Sequence, residues 1–253
     1  MRIILITQNE PFYLKDNLKY LFAIIPKDTK VVGCVVNEVS PFGKKETFKE
    51  KTIKTLRVFG LSFFLYYAAK YISSFIFKES LKTFLAKKGV PIIKTGEDIN
   101  SQESLEIIRA YSPDLLVSIL GNQIFKRKLI DLAPKGCINL HTALLPKYRG
   151  LMPTFWVLKN NEKFTGVSVF FVDEGIDSGP IIIQKKVEIG ARSQAELIKH
   201  TKKIGMEAIS DAVVQIMKGS VELKPNRDKE KTYYSFPTKE DVVVFRRSGK
   251  KFF

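Results

Sequence analysis

Apolar runs of strand length recur along this chain, and between them lie segments whose apolar residues return at helical spacing. Strands joined by a helix run parallel, because an antiparallel pair needs only a tight turn whereas a parallel pair needs a long crossover. Residues 2–7 read as the first strand, with a helix near 15–25 and a second strand at 30–36. A helix near 102–111 leads into a strand at 114–120, and a short helix around 126–132 leads into a strand at 136–141. Strands at 166–172 and 181–189 follow. Ser193, with Glu196 three residues on, fits a capping box opening a long helix to about Met217, with Leu197, Ile204, Ala208, Ala212 and Ile216 along one side. The expected architecture is α/β, a mostly parallel twisted sheet flanked by helices. Two stretches break the alternation: an insertion at about 41–88, basic and then very apolar, and an extension at 218–253, charged and aromatic without clear helical period. One main domain over 1–217 is therefore expected, with that insertion and a short C-terminal extension.

At 253 residues, 45% of them hydrophobic, the chain can bury one substantial core. Its two cysteines, Cys34 and Cys137, sit inside the apolar runs VVGCVV and GCINL, which suits buried strand positions and a reducing compartment. Two cysteines and two histidines far apart offer no metal-ligand spacing, so no metal is expected. A net charge of +16 predicts attraction to an anion, which leaves nucleic acid, a phosphorylated small molecule and an acidic membrane surface all open. The opening MRIILITQNEPF breaks at Gln8-Asn9-Glu10-Pro11 after a strand-length run, unlike a signal peptide, so the cytoplasm is the expected location.

In open α/β sheets ligands bind beyond the carboxyl ends of the strands, so polar residues closing an apolar strand are candidate site residues. Asn139 and His141 close one such run, and their i, i+2 spacing puts both side chains on one face. After the next strand comes Asp173-Glu174-Gly175-Ile176-Asp177-Ser178-Gly179-Pro180, whose glycines permit a close backbone approach and from which Asp177 can reach His141. Taken singly, each fits a turn former or a satisfied strand-end histidine.

Over both segments at once the sequence resembles the folate-dependent formyltransferases. Residues 139–150, NLHTALLPKYRG, resemble that family's N-x-H signature followed by SLLP and a basic-aromatic-glycine loop, and DEGIDSGPII resembles its D-x-G-x-D-x-G-P turn. The similarity extends at lower quality from residue 1 to about residue 217. It implies a Rossmann-like formyltransferase fold and transfer of a formyl group from 10-formyltetrahydrofolate to a primary amine, without metal. By the same resemblance His141 is the acid/base group, Asn139 the donor to the formyl oxygen, and Asp177 the residue that orients His141. The pterin would be held largely by backbone, here at Leu120, Gly121, Gln123, Ile124, Phe125, Val172, Asp173 and Gly175. Acceptor contacts are expected from Asn9, Tyr148 and Arg149, the last because its planar fork suits phosphate or carboxylate.

Relatives in this family formylate glycinamide ribotide, initiator methionyl-tRNA or the amino groups of nucleotide-linked sugars. Gln8-Asn9-Glu10-Pro11-Phe12-Tyr13 does not resemble the glycine- and serine-rich phosphate loop of the ribotide enzymes, and the segment after the last helix is short for the additional domain of the tRNA enzymes. The expected acceptor is the amine of a nucleotide-linked or lipid-linked amino sugar. Methionyl-tRNA, and a basic binding module without activity, stay as alternatives. In the segment 61–77, Ser62, Lys70, Ser73, Ser74 and Lys78 gather on one side of a helix, and Lys44, Lys45, Lys49, Lys51, Lys54 and Arg57 precede it. An interfacial amphipathic helix on an anionic membrane is expected, against packing on the domain or on a second subunit.

Overall fold

The structure, a computed structural model, describes residues 1–38, 47–76 and 79–253. Lys44, Lys45, Phe77 and Lys78 lie outside these. Strand β1 (Arg2–Gln8) leads through α1 (Leu14–Ile24) to β2 (Lys30–Asn37). The insertion supplies α2 (Phe48–Phe59), α3 (Leu61–Ile76) and α4 (Leu81–Lys87) before the short β3 (Ile92–Ile93). Then come α5 (Gln102–Arg109), β4 (Leu115–Ile119), α6 (Arg127–Ile130), β5 (Cys137–His141), β6 (Arg149–Gly150), α7 (Pro153–Lys159), β7 (Phe164–Phe171), β8 (Ile181–Glu188) and α8 (Gln194–Lys218). A 3₁₀ turn at Asp228–Glu230, β9 (Tyr233–Tyr234) and α9 (Lys239–Arg247) complete the chain.

The main sheet has the order β3-β2-β1-β4-β5-β7-β8. From β3 to β5 all neighbours pair in parallel, as the helical crossovers require. β7 runs antiparallel to β5 and to β8, from which only the turn at 172–180 separates it. Period-two alternation buries β1 on both sides. Ile3 and Leu5 join Leu14, Leu18 and Leu21 of α1 and Met206, Ile209 and Val213 of α8, while Ile4 and Ile6 join Leu105 and Ile108 of α5 and Leu129 of α6. The expected capping box at Ser193 is present, and Gly219 ends α8 in the left-handed region at φ 65°.

A third core lies off the sheet. Phe59 of α2, Phe63 of α3, Phe155 and Trp156 of α7, Phe245 of α9 and Phe252 form one aromatic cluster. Phe155 stacks on Phe245 at 5.0 Å, Phe245 on Phe252 at 4.4 Å, and Phe59 on Phe63 at 4.4 Å. The expectation of a tail without helix is corrected here. Thr238 and Asp241 form a capping box for α9, whose only buried positions are Val242 and Phe245, too few to give a readable period. The extension also pairs in parallel through β9 with β6, and the N–H groups of Gln194 and Ala195 donate to the carbonyls of Lys251 and Phe252.

The polarity expected for residues 61–77 is also corrected. Among the described residues no helix is long and apolar enough to cross a membrane. Phe63 is buried, Tyr67 packs edge-on against Phe12, and the Lys70 ammonium lies 3.9 Å from the centroid of the Tyr13 ring, so these side chains face the domain. Leu61, Leu65, Ile72 and Ile76 face outward instead. Of the side chains expected together on the polar side, Lys70 turns to the domain, Ser73 and Ser74 are half-buried and Ser62 stays exposed.

Phe245 is fully buried and links the extension to α7. Phe245→Ala is expected to cost about 3–5 kcal/mol of unfolding free energy in a urea titration. A loss below about 1 kcal/mol would mean that the extension folds independently of the main domain.

Candidate active site

β1 is flanked by β2 on one side and β4 on the other, so the chain winds away in both directions and leaves a crevice at their carboxyl ends. A cavity of about 670 Å³ occupies it, lined by Gln8 at the end of β1, Ser118 and Ile119 of β4, and Asn139, Leu140 and His141 of β5. Ser118 and Asn139 are register partners, which sets Asn139 in the cavity floor. Asn139 lines the cavity beside Ser118 and His141.

His141 is buried at the end of β5. Its Nε2 lies 2.7 Å from the carbonyl oxygen of Tyr148, an acceptor only, so Nε2 carries a proton and Nδ1 is left to exchange one. Nδ1 lies 3.5 Å from Asp177 Oδ2, which also accepts the N–H of Gly150 at 2.9 Å. A proton gained at Nδ1 would therefore face a carboxylate already held in place. Asp177 has φ 49°, and the turn that imposes this is tight. The Asp173 carboxylate accepts from Gly175 N–H and from Ser178 Oγ, and a Cβ at Gly179 would strike the carbonyl oxygen of Phe171. Among the described residues no group of three His, Cys, Asp or Glu is placed to hold a metal ion.

Leu120, Gly121, Gln123, Ile124, Phe125, Val172, Asp173 and Gly175 all line the cavity. Leu120 takes φ 62°, and a Cβ on Gly121 would meet Ser118 Oγ, so the backbone itself forms this wall. The Phe125 ring belongs to the core beneath, and the Gln123 amide is bonded to the backbone of Ile99 and Glu97.

The three expected acceptor contacts lie elsewhere. Asn9 donates its backbone N–H to the carbonyl of Asn37 and is absent from the cavity lining. Tyr148 stacks on Tyr234 and donates its hydroxyl to Glu162. Arg149 is 4% exposed, with Nη1 on Asp228 Oδ1 at 2.8 Å and Nη2 on Asn226 Oδ1 at 2.9 Å. Its fork reads as ligand-binding in the sequence because the acidic and amide partners lie 79 and 77 residues away, in the extension.

A further part of the cavity is built from residues that sequence reasoning missed. Phe12, Tyr13, Thr55, Phe59, Phe63, Tyr67, Phe236, Gln194, Ile198 and Lys202 form a lobe roofed by α2 and α3. Burial pushes the Lys202 ammonium below the ordinary lysine range, partly offset by Glu10 at 3.8 Å. Glu10 also accepts the N–H groups of Phe12, Tyr13 and Leu14 at the start of α1. Gln194 Oε1 is buried without a partner among the described residues. Lys202 did leave a trace in the sequence, since it interrupts an inward stripe of Ile198, Met206, Ile209 and Val213 at helical spacing.

The sequence model described as formyl transferase matches residues 67–213. This chain belongs to the formyl transferase family. It is 33% identical over 165 residues to the methionyl-tRNA formyltransferase of Kosmotoga olearia, covering 65% of this chain and 53% of that protein. The corresponding protein of Thermodesulfovibrio yellowstonii is 32% identical over 175 residues, covering 68% of this chain and 56% of that one. The chain thus spans about half the length of the curated relatives it matches. Among solved structures it resembles a sugar N-formyltransferase from Shewanella (TM-score 0.60, 18% identity, 98% of this chain and 87% of that chain). It also resembles the phosphoribosylglycinamide formyltransferase of Anaplasma phagocytophilum (0.63, 16%, 92% and 98%) and an N-formyltransferase from Helicobacter canadensis in complex with folinic acid and dTDP-3-aminofucose (0.57, 17%, 92% and 70%). At such identities these neighbours establish the fold, a mostly parallel Rossmann-like formyltransferase sheet flanked by helices.

In this formyl transferase chain the extension also braces the acidic turn. Asn226 Nδ2 donates to the carbonyls of Asp177 and Gly179 at 2.8 and 3.0 Å, and Asn226 is itself held by Arg149. Asn226→Ala should loosen Asp177 relative to His141. A drop of about tenfold or more in kcat with folate affinity unchanged is expected from steady-state kinetics and calorimetry. Unchanged kcat would show that the turn holds its shape unaided.

Proposed function

We propose that this chain transfers the formyl group of 10-formyltetrahydrofolate to a primary amine, that of a nucleotide-linked or lipid-linked amino sugar. The observation that carries formyl transfer is the convergence of Asn139 and the His141–Asp177 pair on one cavity. A wall of backbone at 120–125 and 172–175 suits a flat pterin, and bound there the folate supplies an electrophilic formyl carbon.

The residues divide the work. Asn139 donates to the formyl oxygen as it gains negative charge, which as an oxyanion donor is worth about 10²–10³ in kcat. His141 accepts the proton that the attacking amine must lose and returns it to the folate nitrogen as the carbon–nitrogen bond to it breaks. Asp177 holds the imidazolium formed between these steps. The lobe beside them supports an acceptor with both a ring and an anionic group. Phe12 and Tyr67 line it with aromatic surface that suits a ring, and Lys202 offers a buried charge.

Identity of 33% to a methionyl-tRNA formyltransferase favours methionyl-tRNA as a second reading. Incubating the protein and 10-formyltetrahydrofolate with nucleotide-linked amino sugars, lipid-linked amino sugars and methionyl-tRNA in parallel separates the two. A sugar amine is expected to gain one formyl group by mass spectrometry, and His141→Ala and Asp177→Asn are expected to abolish this while remaining folded. Higher kcat/KM for methionyl-tRNA would overturn the sugar reading. Failure to bind any formyl-folate would overturn formyl transfer itself. Lys202→Met should raise KM for the acceptor about tenfold or more and leave folate binding unchanged. An unchanged KM would remove Lys202 from the acceptor site.

A further inference from the structure

Helix α3 has its polarity reversed relative to an ordinary surface helix. Its one charged residue, Lys70, faces the domain with its ammonium against the Tyr13 ring, while aliphatic side chains point outward. Leu61, Leu65, Ile72 and Ile76 are 62%, 55%, 58% and 66% exposed. At 100° per residue all four fall within about 60° of one another, forming one stripe along the whole helix. Two aromatic pairs flank it. Tyr71 lies to one side with Phe48 of α2 tilted over it at 6.2 Å, and Tyr66 lies to the other, stacked on Phe253 at 4.2 Å. Aliphatic groups at the centre with tyrosines at both margins match a helix lying in a membrane interface, where chains go deepest and phenols stay at headgroup level.

The surrounding charge says what covers the stripe. α2 carries Lys49, Lys51 and Arg57 against the single acid Glu50, while Lys54 turns inward onto the Phe236 ring. The segment ending at Phe253 carries Arg246, Arg247, Lys250 and Lys251, with no acid after Asp241. Arg246 Nη2 donates to the carbonyl of Phe59 at 2.6 Å, and Phe252 packs on Phe63, so this basic segment borders α2 and α3. A second copy docked face to face would set these basic margins against each other. A nucleic acid would meet the margins but has nothing to place on four aliphatic side chains. We infer that the outer face of α3, with its basic margins, docks the protein onto an anionic lipid bilayer.

The inner face of the same helix contributes Phe63 and Tyr67 to the cavity, so docking would set the acceptor lobe beside the lipid headgroups. The inference itself stands on the outer face and does not depend on which amine is formylated.

The test is co-sedimentation of the full chain with vesicles of phosphatidylglycerol and phosphatidylcholine, compared with phosphatidylcholine alone, at low and high salt. A variant carrying Leu65→Ser, Ile72→Ser and Ile76→Ser alters only exposed positions. Unchanged circular dichroism and folate binding verify that it is folded. Wild type should sediment with the anionic vesicles at low salt, release as salt rises, and bind about tenfold or more tightly than the variant. Wild type left in the supernatant with anionic vesicles at low salt overturns the inference. Equal binding by wild type and variant overturns the role of the stripe and leaves only diffuse charge. A concentration-dependent dimer in sedimentation velocity that the variant abolishes would assign the stripe to a second copy and likewise overturn it.

Discussion

One carboxylate oxygen ties the functional half of this molecule together. Asp177 Oδ2 accepts the N–H of Gly150 and lies 3.5 Å from His141 Nδ1, while the opposite ring nitrogen of His141 holds the carbonyl of Tyr148. The loop after β5 and the turn after β7 are thereby locked to each other through the imidazole. A small displacement of either would separate His141 from Asp177. The fold supplies corresponding restraint, since Asp177, Tyr148, Met152 and Leu120 all hold positive φ angles around the cavity.

That restraint comes in large part from the extension. Arg149, buried and bonded to Asp228 and Asn226, carries the strain-bearing loop onto residues 226–228, and Asn226 in turn holds the acidic turn. Behind this network the aromatic core joins the insertion, α7 and α9. Insertion and extension, which look like separate additions along the chain, form one packed unit against the open side of the sheet. The lobe roofed by α2 and α3 is the space they leave. Its lining is accordingly set by side chains outside the parallel sheet, which is where members of one fold are free to differ.

The legible part of the sequence was the part governed by local periodicity. Strands β1, β4 and β5 are nearly continuous apolar runs because both sheet faces are covered, and a polar Asn139 and His141 closing such a run stand out for that reason. Asp177 was legible as well, since the glycines around it announce a turn that had to lie near the end of β5. Arg149 and Tyr148 were misread because their partners, Asp228, Asn226 and Glu162, are distant or cryptic in the chain, and an arginine looks the same whether its fork meets a ligand or an internal carboxylate. α9 was invisible with two buried residues, and the orientation of α3 was misread because Lys70 finds aromatic faces on the domain that no pattern within the helix reveals. Lys202 was overlooked among the neighbouring lysines of α8, although its place on the inward stripe distinguishes it.

In the proposed reaction Asn139, His141 and Asp177 converge on a formyl group presented by a folate lying along residues 120–125. A crystal structure of the chain with 5-formyltetrahydrofolate tests this most directly. The pterin is expected against the backbone of that wall and the formyl oxygen about 2.7–3.1 Å from the Asn139 amide, with His141 on the same side of the formyl carbon. A folate whose formyl group lies away from Asn139 and His141, or that occupies the lobe beside Lys202 instead, would contradict it.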